Sequence, residues 1–544
     1  MYKKMETSNL YINPSLNSKQ QIRFIKLLRT SPKMLFSMNL FAYFVVPSFI
    51  PILLTIIYLK WLSSSSSSSK THKNLPPSPW KLPIIGNLHL VGKNYHRSLR
   101  KLARKHGPLM LMHLGSVPVV VVSTAHAAQE ILKTNELLFL DRGESDIIRK
   151  ITYGGKDIAL SNYGEYWRQL RSIVVLHLLS NKSVQSFQQV REEEMTLMIE
   201  KIQEACGSNS VVNFTNLILS LSNDVICRLA LGRKYNGKKF NTMVEQFKQL
   251  VVAFSVGQYI PSLSWVDKLR GLHARSQKIA KEFDEFLEGV IEERLCIDTK
   301  ESVDHQDRSF IDILLEKQKE DESGFQFSRD TIKAVILDIF VAATDTTFTA
   351  LEWAFSELLR NPLVMKTLQK EVNLLAQGKP KINEGDIGKL EYLDAVLKET
   401  MRLHAPAPII PRASSQDVQI MGYEIETGTR IVINVWAIGR DPAIWEEPEE
   451  FRPERFLNTS SYDYKGSHFE FIPFGAGRRG CPGTQFANTL IKLALANVVY
   501  KFDLALPGGE IGENMDMSES TALTVHRLNH LLLVATPRSK IKLI

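Results

Sequence analysis

The longest uninterrupted pattern in the chain begins at Ser328: Asp330 stands in the first turn, and no Gly or Pro follows until Asn361-Pro362. This reads as one N-capped helix of roughly 48 Å at 1.5 Å per residue, long enough to cross a domain. Its flanks are apolar, but Ala342-Ala-Thr-Asp-Thr-Thr347 sets three threonines and a carboxylate at the centre. Threonine hydroxyls there bond back to preceding carbonyls, so a bend or a widened turn is expected. Upstream, Leu109–Leu114 and Pro118–Ser123 are β-rich runs split by Gly115-Ser-Val, which predicts a hairpin. Tyr163 to Arg171 opens a helix with Trp167 and Arg171 on one face at i,i+4, and amphipathic helical periodicity continues from about 185 to 300. Downstream, a helix carrying Glu399 and Arg402 ends at Pro406 and Pro408, and the runs around Asp417–Ile425 and Arg430–Val435 read as a small β-meander. The pattern predicts a mainly α fold with small β-sheets.

A different apolar stretch precedes all of this. Met34 to Leu59 contains no charged residue, lies between Lys33 and Lys60, and is followed by Trp61. It is long enough to cross about 30 Å of hydrocarbon as a single helix, which makes 34–59 the expected membrane anchor, kinked at Pro47 and Pro51. Residues 60–82 continue as a tether: Ser63 to Ser69 is a run of serines, Lys70, His72 and Lys73 are basic, and Leu75-Pro-Pro-Ser-Pro79 is a stiff hinge. No internal repeat and no further long linker follow, so 83–544 is expected to be one large domain.

Charge and cysteine usage narrow the picture. Residues 1–33 hold seven Lys/Arg against one acid, so +6 of the net +9 lies in that segment. The body alone gives no reason to expect nucleic acid as a partner. A basic extension before an anchor conflicts with a short lumenal N-terminus. Three readings compete for it: an over-extended start with initiation near Met34 or Met38, a plastid or mitochondrial transit peptide, and a reversed anchor, of which the first is preferred. Cys206, Cys227, Cys296 and Cys481 have no paired spacing, which argues against a disulfide framework or a structural zinc.

The chemistry concentrates in Pro473-Phe-Gly-Ala-Gly-Arg-Arg-Gly-Cys-Pro-Gly483, followed at once by an apolar helical pattern. Cys481, presented by a Gly-rich loop at a helix N-terminus, sits where amide dipoles favour a thiolate and is the candidate metal ligand. Gly477 and its neighbours let the backbone fold close beneath a flat ring. Arg479 offers a planar fork suited to a carboxylate such as a haem propionate, and Phe474 would shield the sulfur from water.

The spacing of Phe474, Gly477, Arg479, Cys481 and Gly483 resembles the haem-ligand loop of the cytochrome P450 family. The likeness covers the chain from about residue 34 to its end, and the wording Trp-Arg-Gln-Leu-Arg, Pro-Glu-Arg-Phe and the cysteine loop is similar to the plant microsomal group of specialised metabolism. It implies a P450 fold holding haem b, with Trp167 and Arg171 donating to one propionate and Arg412 as a second propionate partner. Asp345 and Thr346 match the acid–alcohol pair that delivers protons during oxygen activation. The sequence departs from the common pattern at Ala343, where many relatives have Gly. Glu399 and Arg402, with Arg455 of Phe451-Arg-Pro-Glu-Arg-Phe456, match a buried structural network outside the chemistry.

The expected activity is a monooxygenase that inserts one oxygen atom of O2 into a small apolar terpenoid or aromatic metabolite. Electrons would come from a separate NADPH-cytochrome P450 reductase, with cytochrome b5 as a further donor, because the chain has no Gly-rich dinucleotide fingerprint opening a βαβ unit. A haem-thiolate dehydratase or isomerase of the aldoxime type and a non-catalytic haem-binding protein are the alternatives. The expected pocket lining is Ile339 and Ala343, then Ala407, Ile409 and Ile410, then Thr521 to Leu523, with hydrogen bonding offered only by Thr521. The expected location is the endoplasmic reticulum membrane with the catalytic domain in the cytosol, or a plastid if 1–33 is a transit peptide.

Overall fold

The computed structural model describes residue 55 and residues 73–538, apart from 144, 208–209, 236–237, 299–307, 321–326, 458–461 and 521–523. Apart from Thr55, the expected anchor and the serine run therefore lie outside the described residues, and so do the pocket candidates Thr521 and Leu523. The chain divides into two units, Met1–His72 and Lys73–Ile544, the second of which holds the cysteine loop. In this second unit the proline segment lies along the body: the Leu111 amide donates to the Pro77 carbonyl at 2.9 Å, and the Glu424 amide to Asn74 at 2.7 Å.

Six helices organise the site: α1 (Glu165–Ile173), α2 (Phe214–Leu231), α3 (Lys238–Val251), α4 (Arg329–Arg360), α5 (Glu391–Leu403) and α6 (Thr484–Lys501). The Ser328 hydroxyl caps α4 by accepting from the Thr331 amide. At its other end the Asn361 amide donates back to Glu357, and Pro362 starts the next helix. The helix runs unbroken through its threonines, so the expected widened turn is absent. Thr346 satisfies its hydroxyl on the Ala342 carbonyl, 2.6 Å away, while the ladder continues around it. Tertiary packing decides the matter: Trp353, Ala354, Phe355 and Leu358 are fully buried, and each large side chain so placed contributes about 1.5–3 kcal/mol. α2 and α4 are both long and apolar enough to cross a membrane, yet 67% and 78% of their apolar windows are buried in the body, as befits core helices.

The main sheet has the order β1-β2-β4-β3, with β1 Leu109–Leu114, β2 Val117–Val122, β3 Ile409–Ala413 and β4 Arg430–Asn434. β1 and β2 form the expected hairpin, one residue tighter than the sequence run. Gly115 turns it at φ +61°, and a side chain there would collide with the Tyr259 carbonyl. The expected meander does not form. Val418–Ile420 and Tyr423–Ile425 pair only with each other, and β4 inserts parallel to β2 and antiparallel to β3. Ile431 and Ile433 are fully buried, and a strand with that apolar content is better accommodated in the sheet interior than beside an exposed hairpin. A further small sheet joins Val212–Asn213, Leu532–Pro537 and Phe502–Ala505.

Candidate functional site

The cysteine loop is a folded turn fixed by its own backbone. The Cys481 amide donates to the Phe474 carbonyl at 2.8 Å and the Gly480 amide to Gly477 at 2.9 Å, while Gly483 is the N-cap of α6. Gly477 adopts φ +70°, and a side chain there would meet the Glu136 carboxylate and the Leu132 carbonyl. Its glycine is thus required by packing against the 132–136 segment, to which Glu136 also ties the loop through Arg478 at 2.5 Å. Phe474 stacks edge-on against Tyr464, with ring centroids 5.6 Å apart.

Cys481 is walled in by protein, yet its side chain keeps accessible surface, so it faces an internal hollow rather than bulk solvent. Burial pushes its thiol up, against the Gly483 amide, the Thr484 hydroxyl and Arg171, which all act downwards. The amide dipoles that favour the thiolate are opposed by desolvation, which outweighs them, and a bound cation would hold the sulfur ionised.

Around this loop the chain collects four guanidinium groups, those of Arg142, Arg171, Arg412 and Arg479. Arg142 and Arg412 both donate to the Pro411 carbonyl, at 3.1 and 2.8 Å. Arg171 donates to Gly480 at 2.6 Å, and Arg479 to Ile158 and Ser161 at 3.2 and 2.5 Å. Trp167 donates its ring N–H to Ile158 at 2.9 Å and lies between two of the cations, with Arg479 4.2 Å and Arg171 5.5 Å from its ring centre. None of the four forms an ion pair among the described residues, and the Nε atoms of Arg142 and Arg479 are buried without partners. Burial and then mutual repulsion lower all but Arg171, which burial alone lowers; Arg142 and Arg479 fall to about 10. Four guanidinium groups without an ion pair, Arg412 and Arg479 buried and Arg142 and Arg171 half-buried, fit a ligand with two carboxylates, as the two propionates of haem provide. Arg142 carries no sequence signal: in Leu140-Asp-Arg-Gly143 nothing marks it as a member of this cluster.

The face of α4 toward the hollow is defined by exposure. Within an otherwise buried helix, Ala342 is exposed, and Asp338, Val341, Ala343 and Thr346 are half-buried. Ile339 is buried in the main apolar cluster. Ala407 is exposed, and Ile409 and Ile410 are half-buried. Asp345 and Thr346 do not bond to each other. Asp345 is buried, paired to Lys248 of α3 at 2.5 Å and accepting from the Thr524 hydroxyl at 2.6 Å, which in turn accepts from Thr349 at 2.9 Å. Neither Lys248 nor Thr524 has a sequence signal, since they lie 97 and 179 residues away.

Behind the loop, Glu399 and Arg402 form a fully buried fork with distances of 2.7 and 2.8 Å, and Arg455 adds a third contact to Glu399 at 3.0 Å. Arg402 also donates to the Gly439, Pro448 and Glu450 carbonyls, which binds α5 to the segment leading into the cysteine loop.

An accessible cysteine in a glycine-rich turn, ringed by arginines that form no ion pair among the described residues, is the constellation of a haem-thiolate protein. Residues 76–534 match the family model described as Cytochrome P450, and the chain belongs to that family. It is 51% identical over 497 residues to a 3-beta-hydroxylase of Tanacetum parthenium, covering 90% of this chain and 98% of that one. It is 50% identical to Cytochrome P450 71A2 of Solanum melongena, over 90% and 98% of the two chains, and 47% identical to a psoralen synthase of Pastinaca sativa, over 88% and 99%. A zebrafish cytochrome P450 solved with abiraterone superposes with a TM-score of 0.68 at 26% identity, covering 82% of this chain and all of that one. The protein is a haem b-dependent P450 monooxygenase of plant specialised metabolism.

Proposed function

We propose that this enzyme hydroxylates a small or medium apolar metabolite of terpenoid or aromatic type at an unactivated carbon. The observation that carries the reading is the apolar accessible surface of Ala342, Ala343, Ala407, Ile409 and Ile410 together with the accessible sulfur of Cys481. Such a lining orients its ligand mainly by shape and burial. The name of the Tanacetum relative, a 3-beta-hydroxylase, agrees with hydroxyl insertion at carbon.

When bound, haem supplies the iron at which dioxygen is activated. Arg142, Arg171, Arg412 and Arg479 would hold its carboxylates and Cys481 its metal. This chain's own part is to exclude water and to move protons. Thr346 brings a hydroxyl to the accessible face of α4, and Asp345 connects through Lys248, whose side chain is 19% accessible, toward solvent. Thr346→Ala is expected to keep haem but divert electrons to peroxide, and Asp345→Asn to slow turnover on the order of 10²-fold. NADPH consumption, peroxide and product measured together decide it: unchanged rate and coupling in both variants would remove the pair from proton delivery.

Electrons are proposed to come from an NADPH-cytochrome P450 reductase, with cytochrome b5 as a second donor. The domain 83–544 would be tethered to the endoplasmic reticulum by 34–59 through the 60–82 hinge, facing the cytosol. Deleting residues 1–62 is expected to shift the protein largely from membrane to soluble fraction with haem binding intact. A truncated protein without haem, under conditions where the full chain binds it, would contradict that separation.

A further inference from the structure

Both oxygens of the Asp345 carboxylate are engaged. Lys248 holds Oδ1 at 2.5 Å, and the Thr524 hydroxyl donates to Oδ2 at 2.6 Å. Lys248 is the partner that reaches solvent, whereas Thr524 is buried and takes no part in the proton path described above. Its hydroxyl is oriented in turn by Thr349, also buried, which lies one turn beyond Asp345 on α4 and donates to it at 2.9 Å. Thr346 bonds back to a carbonyl of its own helix, but the Thr349 hydroxyl is directed to Thr524 instead. A hydroxyl carries one proton, so with Thr349 filling its acceptor side Thr524 turns its own proton on Asp345. The segment around Thr524 has other anchors. Trp353 donates its ring N–H to the Val525 carbonyl at 2.7 Å, the Val525 amide donates to Pro406 at 3.0 Å, and Glu352 accepts the Arg527 amide at 3.1 Å. The hydroxyl therefore reaches Asp345 from a backbone that is held in place without it.

We infer that Thr524 is a positioning residue for proton delivery: its hydroxyl fixes the Asp345 carboxylate in the orientation that keeps Oδ1 on Lys248. Lys248 alone does not select that orientation, because an ammonium is a point charge on a flexible four-carbon stem and follows the carboxylate through several rotamers. A hydroxyl on an anchored backbone, itself oriented by Thr349, supplies the directional contact that the lysine lacks. Without it Oδ2 is left unpaired in a buried site, and the carboxylate turns to find another donor. The inference rests on the proton-delivery reading above and adds to it the group on which the geometry of Asp345 depends.

The test is a double-mutant cycle read in two ways. Full-length holoenzyme with reductase, NADPH and dioxygen is followed by NADPH consumption in H2O and D2O without organic substrate, since reduction of dioxygen to peroxide or water itself takes up protons. Thr524→Val is expected to slow consumption about tenfold, the weight of one hydrogen bond to a charged group, and to raise the solvent isotope effect. Thr524→Ser, which keeps the hydroxyl, should stay within about twofold of wild type. In the Asp345→Ala background Thr524→Val should slow nothing further. Melting temperatures of the same proteins give the second reading, independent of turnover: the shifts from Thr524→Val and Asp345→Ala should fall short of adding. Equal slowing in both backgrounds, additive melting shifts, or Thr524→Ser as slow as Thr524→Val would overturn the positioning role. Thr524→Val at the wild-type rate beside a slow Asp345→Ala would overturn it too and leave proton delivery standing, whereas Asp345→Ala at the wild-type rate removes proton delivery and the positioning role with it. Should Thr524→Val fail to bind haem, Thr349→Val decides: it should slow consumption about threefold and raise the isotope effect, and wild-type values of both overturn the proposal.

Discussion

Cys481→His should retain the folded body but lose both the thiolate-type Soret band of the reduced carbon monoxide complex and all monooxygenase turnover. Two features make this the largest expected effect. The sulfur is the one side-chain ligand that the loop presents to the hollow, and the loop backbone that presents it is fixed by the Phe474, Gly477 and Glu136 contacts rather than by the sulfur itself. Exchanging the side chain therefore changes the ligand without dismantling the turn. A thiolate pushes electron density onto iron and favours O–O cleavage, and imidazole does not replace that push. An unchanged thiolate-type band in the variant would sink the assignment of Cys481.

The second large effect is structural. Glu399→Gln should lower stability by about 3–5 kcal/mol, because it leaves the buried Arg402 charge without its counter-charge. Against the roughly 5–15 kcal/mol that holds a typical domain together, that is enough to empty much of the folded population at growth temperature. Glu399 Oε1 accepts from Arg402, Arg455 and the Arg452 amide, so no neighbour can take over its part. Thermal unfolding and haem content measured on the same preparations check this. A variant with wild-type melting and full haem would show that the network is dispensable.

Much of this architecture was legible in the sequence wherever local rules and tertiary need agree. The α4 span follows from Ser328 at its N-cap and Pro362 beyond its end, and the β1–β2 hairpin from Gly115 between two β-rich runs. The cysteine loop stood out because glycines and an arginine crowd one cysteine over ten residues. What was not legible depends on chain segments meeting from far apart. Lys248 reaches Asp345, Glu136 reaches Arg478, and Arg142 shares the Pro411 carbonyl with Arg412, each without a mark in its own neighbourhood. Asp338 could be seen as a lone acid in an apolar run, but its two amide partners lie on a loop that sequence periodicity does not place. β4 misled for a different reason. Its pattern shows a strand, whereas its partners β2 and β3 are set by which segments meet it in the folded body.

The central claim is oxygen insertion by this chain's thiolate-ligated haem, and labelled dioxygen tests it most directly. Purified full-length protein, reconstituted with an NADPH-dependent P450 reductase and supplied with 18O2, should turn over an apolar terpenoid or aromatic substrate only when NADPH, reductase and dioxygen are all present. One labelled oxygen atom should appear in each product molecule. Product formed without dioxygen, or product free of label, would contradict monooxygenation and turn the account toward dehydration or isomerisation at the same site.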